Sequence, residues 1–419
     1  MLLWATAHTC FDAHTFLLDD NGLAGFLPSE LEVFTSLTEL SLSGNSLTGN
    51  FPDTLADLNL EEIDVERNQM SGDPFPILTQ IETLSRLRLS SNGFTGTLPA
   101  AISAWDRMVE LWLADNNFSG PLPAELGLLT SLQTLFVYGN DFSGPLPSAL
   151  GNLQLTAFQA HENRLNGEIP IELYNVTTLE FLRLDVNEFV GSLPPEIGQL
   201  TLLEDLRLAN NSFTGALPPS FFGLNRLRTL HVCPSLVVGQ YSAHPCLLPP
   251  PTGNVVLRFN QFSGSLRDGF SSWQNLTFFD VAYNQIGGFL PPTLFDVPTI
   301  RFAYFHFNSF VGGIPDNYGN PPRLRDLYLN NNQLDGEVPG ITGGQLLELN
   351  EFLLQENLLV GQMPASVCAL RTNGDLDDLY ADCNPPENPE IVCPRPACCN
   401  LCFPLSAQDE GGATSEALP

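Results

Sequence analysis

The sequence predicts a solenoid of short repeated units. Three observations carry this prediction: a unit recurs every 23 to 25 residues, apolar residues alternate at fixed places within it, and Asn and Gly return at fixed places after them. Stacked units of this kind bury one continuous core. With the first apolar residue of each repeat as offset zero, the fifteen repeats begin at residues 13, 37, 60, 84, 108, 132, 155, 179, 203, 227, 252, 276, 300, 324 and 349.

Each repeat opens with a predicted strand. Apolar residues at offsets 3 and 5, such as Leu111 and Leu113, predict a short strand with one face turned inward, because side chains alternate across a strand. Side chains at offsets 2, 4, 6 and 7 are therefore expected to face outward. They are the positions at which a binding surface can be built.

An Asn stands at offset 8 in every repeat but one. A buried amide there can bond backbone groups of its own coil and of the adjacent coil, where no sheet ladder is available. We predict a structural role for all of them. These residues are Asn21, Asn45, Asn68, Asn92, Asn116, Asn140, Asn163, Asn187, Asn211, Asn260, Asn284, Asn308, Asn332 and Asn357.

Two further positions recur with the same regularity. Offset 10 is large and apolar, and its Phe residues are expected to stack as an internal spine rather than to line a ligand site. Gly occupies offset 12 in all fifteen repeats, which predicts a bend that needs positive φ or close backbone approach. The Phe residues are Phe94, Phe118, Phe142, Phe189, Phe213, Phe262 and Phe310.

With the apolar–Pro pair that follows the Gly, such as Leu122 and Pro123, the unit resembles the plant-type leucine-rich repeat, LxxLxLxxNxLxGxIPxxLxxL. The resemblance covers residues 13–372. It implies an α/β solenoid, a right-handed leucine-rich-repeat horseshoe of about 15 repeats with a parallel concave β-sheet, short 3-10 or helical convex segments and an extra strand near the Pro. Members of this family include receptor-like protein ectodomains and secreted inhibitors of cell-wall-degrading enzymes, whose shared activity is recognition.

Four segments depart from the regular repeat. Residues 1–12 resemble the remnant of an N-terminal cap, and 373–404 resemble the Cys-rich C-terminal caps of microalgal leucine-rich-repeat proteins. Residues 405–419 are acidic, rich in small residues and expected to be disordered. The repeat at 227–251 keeps Leu230, Val232 and Gly239 at their offsets but has Ser235 for Asn, so we interpret it as a degenerate repeat within one solenoid.

The nine Cys cluster where the repeat weakens or ends, as in disulfide-stapled caps of an oxidising compartment. Six are expected to form three disulfides of undetermined pairing: Cys368, Cys383, Cys393, Cys398, Cys399 and Cys402. Cys233 and Cys246 are expected to pair in the degenerate repeat, although a regular coil would hold them too far apart. Zinc is the alternative at both clusters, and Cys10 is left over.

Several observations favour secretion. Sequons at Asn117, Asn175, Asn210 and Asn275 are expected glycosylation sites. No transmembrane stretch is present, and the start is a poor signal peptide, so we expect a fragment whose signal peptide and any anchor lie outside this chain. The predicted location is extracellular or at the cell surface.

The composition and the motifs argue against several classes of function. A net charge of −31, from 47 acidic residues against 16 Arg, disfavours nucleic acid and anionic membranes as partners. Motifs for nucleophilic, phosphate-binding or zinc-dependent chemistry are lacking, so neither an enzyme nor a cofactor is expected. Repeated carboxylates such as Asp19 and Asp20 fit a solvated surface.

The predicted function is recognition of a protein or peptide through the concave face; a secreted inhibitor of glycan-degrading enzymes is the alternative. Aromatic and Arg residues on this face are of the types enriched at binding hot spots. The aligned Arg residues suggest an acidic ligand, either a peptide or an anionic glycan. The candidate residues are Arg88, Trp112, Phe136, Tyr138, His161, Phe181, Arg183, Asp185, Arg207, His231, Tyr304, His306 and Tyr328.

Overall fold

The computed structural model describes residues 14–224, 226–227, 254–270, 273–341, 346, 348–382, 391–393, 398–399 and 401–403. The chain divides into two compact units, an N-terminal unit up to Gln261 and a C-terminal unit from Phe262 onward. Each is described separately. The predicted cap remnant at 1–12 and the predicted tail at 405–419 lie outside the described residues.

In the N-terminal unit, short strands from successive coils pair in parallel and in chain order to form what we call the main sheet. Its register keeps equivalent residues side by side, as for Leu87, Leu111 and Leu135. The strands are Thr15–Leu17, Glu39–Ser41, Glu62–Asp64, Arg86–Arg88, Glu110–Trp112, Thr134–Phe136, Ala157–Gln159, Phe181–Arg183, Asp205–Arg207 and Asn254–Val256.

The main sheet of the C-terminal unit has the same construction. It continues past residue 372, the predicted end of the solenoid, because Leu379 and Ala381 keep the buried alternation of a main-sheet strand. Its strands are Phe278–Asp280, Phe302–Tyr304, Asp326–Tyr328, Glu351–Leu353, Asp378–Asp382 and Leu401–Phe403.

A second set of parallel strands follows the main-sheet strands, and 3-10 turns come after most of them, which confirms the predicted fold class. The second strands are Ala24–Gly25, Ser46–Gly49, Gln69–Gly72, Gly93–Thr97, Asn117–Gly120, Asp141–Pro145, Arg164–Gly167, Glu188–Phe189, Thr214–Gly215, Gln261–Phe262, Gly287–Gly288, Ser309–Gly312, Gln333–Glu337, Leu358–Gln362 and Ile391–Val392.

The 3-10 turns begin directly after a Pro, whose fixed φ suits the entry to a helical turn. They are Ser29–Val33, Asp53–Asp57, Ala100–Ala104, Ala124–Leu128, Ser148–Asn152, Ile171–Asn175, Pro195–Gln199, Pro219–Gly223 and Pro292–Asp296. Two coils carry α-helices instead, at Phe75–Leu78 and Ala365–Asn373.

The core consists of the residues that the repeat predicts. Leu111 and Leu113, at offsets 3 and 5, are fully buried, and all seven predicted spine Phe residues are at most 1% exposed. Neighbouring spine rings stack, with centroids 6.4 Å apart for Phe94 and Phe118 and 6.3 Å apart for Phe118 and Phe142. Each buried ring contributes roughly 1.5 to 3 kcal/mol of transfer free energy.

The predicted Asn ladder is confirmed from Asn45 onward, whereas Asn21 is exposed and donates to Asp19 of its own coil. Asn116 illustrates the bonding. Its Oδ1 accepts the backbone N–H of Phe94, and its Nδ2 donates to the carbonyls of Leu89, Leu113 and Ala114 at 3.0 to 3.2 Å. The residue before the ladder Asn is left-handed in every described coil; Asp115, for example, has φ 52°. One amide thus joins two coils at the point where the main strand has ended.

The strand after Asp205–Arg207 in the main sheet is Asn254–Val256. Arg207 pairs directly with Val256, the Nδ2 of Asn260 donates to the carbonyl of Leu208, and its Oδ1 accepts the N–H of Phe213. The coil that begins at Leu203 is therefore bonded directly to the strand Asn254–Val256 and to Asn260, and the interpretation of residues 227–251 as a degenerate repeat stays a prediction. Residues 228–253 themselves lie outside the described residues.

Two disulfides secure the Cys-rich segment. Cys368, in the helix Ala365–Asn373, is bonded to Cys398, and Cys393 is bonded to Cys399. Cys10, Cys233, Cys246 and Cys383 lie outside the described residues, so the remaining predicted pairings stay predictions. In the described part of the chain, no cluster of His, Cys and carboxylate groups is suited to a metal ion, and no helix is long and apolar enough to cross a bilayer.

We expect Asn116→Ala to lower the free energy of unfolding by about 1 to 3 kcal/mol, because it leaves buried backbone groups of two coils without partners. Asn117→Ala is the matched control, since this neighbouring side chain is exposed. Urea unfolding monitored by circular dichroism measures both. Equal effects of the two substitutions would contradict the structural role of the ladder.

Candidate functional site

The outer face of the main sheet is formed by side chains that the core does not use. Because side chains alternate along each strand, the residues on either side of the buried Leu point away from the core. The register places Arg88 beside Trp112, Trp112 beside Phe136 and Arg183 beside Arg207. Side chains at offset 4 thus lie next to one another on successive strands from Leu17 to Arg207.

Four candidate residues form a continuous aromatic run, which we define as Trp112, Phe136, Tyr138 and His161. Successive ring centroids lie 5.1, 6.5 and 4.3 Å apart, and the first and last contacts are stacked. The indole Nε1 of Trp112 donates to Thr134 Oγ1 at 2.9 Å, which fixes the start of the run. All four side chains are half-buried, so their rings are held in place while part of each remains accessible.

Arg88 lies at the start of the aromatic run and is surrounded by acidic groups. Its guanidinium contacts Glu62 at 3.0 Å, Asp64 at 3.5 Å and Glu110 at 2.6 Å, and it lies 4.7 Å from the ring centroid of Trp112. Its charge is therefore used within the fold, in ion pairs and a cation–π contact.

Arg183 and Arg207 share one buried carboxylate. Asp205, whose side chain is 1% exposed, accepts from Arg183 at 2.6 Å and from Arg207 at 3.2 Å. Arg183 also donates to the side-chain oxygen of Gln159 at 3.3 Å. Each guanidinium is thus already bonded to a carboxylate of the chain, and the acidic ligand suggested by the aligned Arg residues stays a prediction.

Two titratable residues of this face, the half-buried His161 and the buried Asp185, have shifted pKa values. Burial, reinforced by Arg183 and Arg207, lowers the pKa of His161 to about 3, so this ring is neutral at physiological pH. Burial raises the pKa of Asp185 to about 6. Neither His161 Nδ1 nor Asp185 Oδ1 has a hydrogen-bond partner among the residues that the structure describes. Phe181, half-buried, lies in register with Ala157 and Asp205.

The candidate residues of the C-terminal unit form a separate cluster. Tyr304 and Tyr328 stack with centroids 4.3 Å apart, and His306 lies 6.0 and 5.6 Å from them. The Tyr304 hydroxyl donates to Asp326 at 3.1 Å, and the Tyr328 hydroxyl donates to Glu351. Burial and the neighbouring Glu351 raise the pKa of Asp326 to about 6.

The sequence analysis missed the acidic members of both clusters. Glu62, Glu110, Asp205, Asp326 and Glu351 all stand at offset 2, where only aromatic residues were considered. An Arg at offset 4 of one strand bonds a carboxylate at offset 2 of an adjacent strand. Comparing these two positions between neighbouring repeats would therefore have found the acidic residues from the sequence.

The other predicted sites remain predictions. The sequon residues Asn117, Asn175 and Asn275 are exposed, while Asn210 is half-buried. His231 lies outside the described residues.

Comparison with known sequences identifies the repeat. A model of the leucine-rich repeat family matches residues 36–58, 83–105, 131–153 and 202–224. Over 95 residues the chain is 32% identical to receptor-like protein 31 of Arabidopsis thaliana, a match that covers 22% of this chain and 11% of that protein. The four matched segments are therefore leucine-rich repeats.

Solved structures share the fold. A TDR receptor matches with a TM-score of 0.76 and 28% identity over 89% of this chain and 60% of its own. The plant peptide hormone receptor RGFR1 in complex with RGF2 matches with a TM-score of 0.68 and 23% identity over 90% and 65%. The chain thus spans about a tenth of the curated relative and less than two thirds of each solved chain.

Replacing both Arg183 and Arg207 by Ala is expected to lower the free energy of unfolding by roughly 3 to 5 kcal/mol, because Asp205 stays buried without a cation. Arg164→Ala is the control, since its 2.9 Å pair with Asp141 is exposed and such pairs contribute about 0 to 1 kcal/mol. Urea unfolding compares the variants. A double variant as stable as the control would show that Asp205 does not need its partners.

Asp185 gives the fold a pH dependence of known sign. Because its pKa is raised from 3.8 to about 6, the folded state binds more protons in this window, and stability falls as the pH rises through it. Asp185→Asn should therefore raise the thermal midpoint at pH 7 and change it little at pH 4. The exposed Asp57→Asn serves as control. A pH profile unchanged by Asp185→Asn would contradict this assignment.

Proposed function

We propose that this chain is an extracellular recognition module, secreted or part of a receptor-like protein ectodomain, that binds a peptide or protein through the outer face of its main sheet. The observation that carries the proposal is the aromatic run. Its four rings follow one another on a regular sheet, with the first and last contacts stacked, and they are half-buried and not needed for the core. Rigid aromatic side chains of this kind supply contact area at low entropic cost and dominate binding energies.

The comparisons support a ligand-binding role. One solved structure with this fold is a peptide hormone receptor in complex with RGF2, and the curated relative is a receptor-like protein. Stacking rings and paired charges on the face suit an extended peptide, whose side chains can alternate between apolar and polar contacts. The two disulfides and the three exposed sequons support an oxidising, extracellular location.

The test uses the purified chain and a synthetic library of random dodecapeptides. We expect Phe136→Ala combined with Tyr138→Ala to weaken binding of the captured peptides by roughly 30-fold, the effect of losing one hot spot of about 2 kcal/mol. The control replaces Leu128 and Ile171 by Ala, because these side chains are 61% and 50% exposed on 3-10 turns, away from the sheet.

Fluorescence polarisation measures binding, and thermal unfolding verifies that each variant is folded. Unchanged affinity in the Phe136 and Tyr138 variant would place the binding surface elsewhere. A wild-type chain that captures no peptide would contradict the peptide-binding proposal itself.

A further inference from the structure

Three acidic residues lie side by side on the outer face of the C-terminal unit. The register pairs Asp326 with Glu351 and Glu351 with Asp378, on three successive strands. Like charges directly opposite one another destabilise a sheet. Among the described residues, no basic group forms an ion pair with Asp326 or Glu351.

In the N-terminal unit, Arg residues remove the repulsion between carboxylates on neighbouring strands. There the register places Glu62 beside Arg86 and Arg86 beside Glu110, so that a cation separates the two acids. Arg86 contacts them at 3.2 and 3.4 Å. Arg88, two residues further along the same strand, reaches both acids and stacks on Trp112.

The strand Glu351–Leu353 occupies the equivalent place in the C-terminal unit. Asp326 and Asp378 stand where Glu62 and Glu110 stand, and Tyr380 takes the place of Trp112. The two Arg residues, however, are replaced by Glu351 and Leu353. Acidic and aromatic residues that hold a guanidinium in one unit are therefore present in the other without an Arg on that strand.

Two buried carbonyl oxygens beside this strand also lack donors. Asn330 Oδ1 and Gln355 Oε1 have no hydrogen-bond partner in the described part of the chain, and Asn330 is only 6% exposed. Both stand at offset 6. One coil earlier, His306 at this offset lies 5.6 Å from Tyr328 on the next strand, so an offset-6 side chain reaches the offset-4 position of its neighbour. By the same repeat geometry, Asn330 lies beside Leu353.

The carboxylates and amide oxygens around this strand share one property, the ability to accept hydrogen bonds. Carboxylates and amide carbonyls accept hydrogen bonds, and the Tyr328 hydroxyl is already engaged as a donor to Glu351. The half-buried Leu353 provides an apolar floor, and the stacked Tyr304 and Tyr328 rings form a wall on one side. A ligand that fits must bring several donors, a positive charge and an aliphatic stem.

We propose that this acceptor cluster, formed by Asp326, Tyr328, Asn330, Glu351, Leu353 and Gln355, binds the guanidinium group of an arginine side chain in the peptide or protein ligand. Guanidinium is planar, carries five N–H donors and has no acceptor, so it satisfies adjacent carboxylates and carbonyls together. The net charge of −31 attracts basic ligands from a distance. The inference rests on the proposed function and specifies its ligand as basic.

The experiment compares two synthetic peptide libraries that differ at one central residue, arginine in the first and citrulline in the second, with random uncharged residues on both sides. Citrulline has nearly the shape of arginine but no charge. We expect the wild-type chain to bind the arginine library about tenfold more tightly, as for a charge-assisted, bidentate contact. Fluorescence polarisation at fixed ionic strength measures both affinities.

Leu353→Arg is the decisive variant, because it places a guanidinium of the chain's own where Arg88 lies in the N-terminal unit. It should remove the preference for arginine and raise the melting temperature. Leu17→Arg is the matched control. It adds the same charge at the same offset, but on a strand that has no acceptor cluster, and the Leu17 side chain is 59% exposed. It should keep the preference. Glu351→Gln, a smaller change, should reduce the preference without occupying the site.

The outcomes separate the two proposals. If the wild-type chain binds both libraries equally, or Leu353→Arg keeps the preference, the acceptor cluster is not the site, while the proposed function stands. If Leu17→Arg loses the preference as completely as Leu353→Arg, the effect is general charge repulsion and the inference is overturned. If the wild-type chain binds neither library, the inference falls together with peptide binding.

Discussion

The stack of coils depends on one asparagine amide per coil. Each main-sheet strand is so short that it pairs through only three residues, and the chain must then turn without a sheet ladder to satisfy its backbone. The amide supplies those bonds, to its own coil and to the one before it. In the coil after Asn357, the side chain of Asp382 supplies only an acceptor, which bonds the N–H of Asn357. Because these bonds fix the coil-to-coil register, the outer face can vary without loss of the fold.

That freedom is visible in how charge is distributed over the outer face. In the N-terminal unit, Arg88, Arg183 and Arg207 each form an ion pair with a carboxylate of the same face. The positive charges of this part of the face are therefore neutralised by its own acidic residues. In the C-terminal unit, Asp326 and Glu351 lie side by side, and no basic residue in the described part of the chain forms an ion pair with them. The outer face of the N-terminal unit is therefore aromatic with paired charges, whereas that of the C-terminal unit has an anionic region.

Periodicity was sufficient to predict the strands, the Asn ladder, the Phe spine and the left-handed Gly, because each depends on a residue's place within one coil. Periodicity does not show contacts that depend on a neighbour in another coil. The ion pair of Arg183 with Asp205, 22 residues later, is found only when the two strands are placed side by side. Likewise, the spacing of the coils does not show that Arg207 pairs with Val256.

Two carboxyl groups, the buried Asp185 and the half-buried Asp326, lie in surroundings that disfavour their charge. Asp185 lies among cations and Asp326 lies beside another acid, yet burial dominates in both cases and raises the pKa of each to about 6. Both groups therefore oppose folding at neutral pH, where they must ionise in a poor environment for charge. An apolar or amide side chain at either place would stabilise the sheet. Residues that lower stability at positions not required by the repeat support the proposed role of these faces in ligand binding.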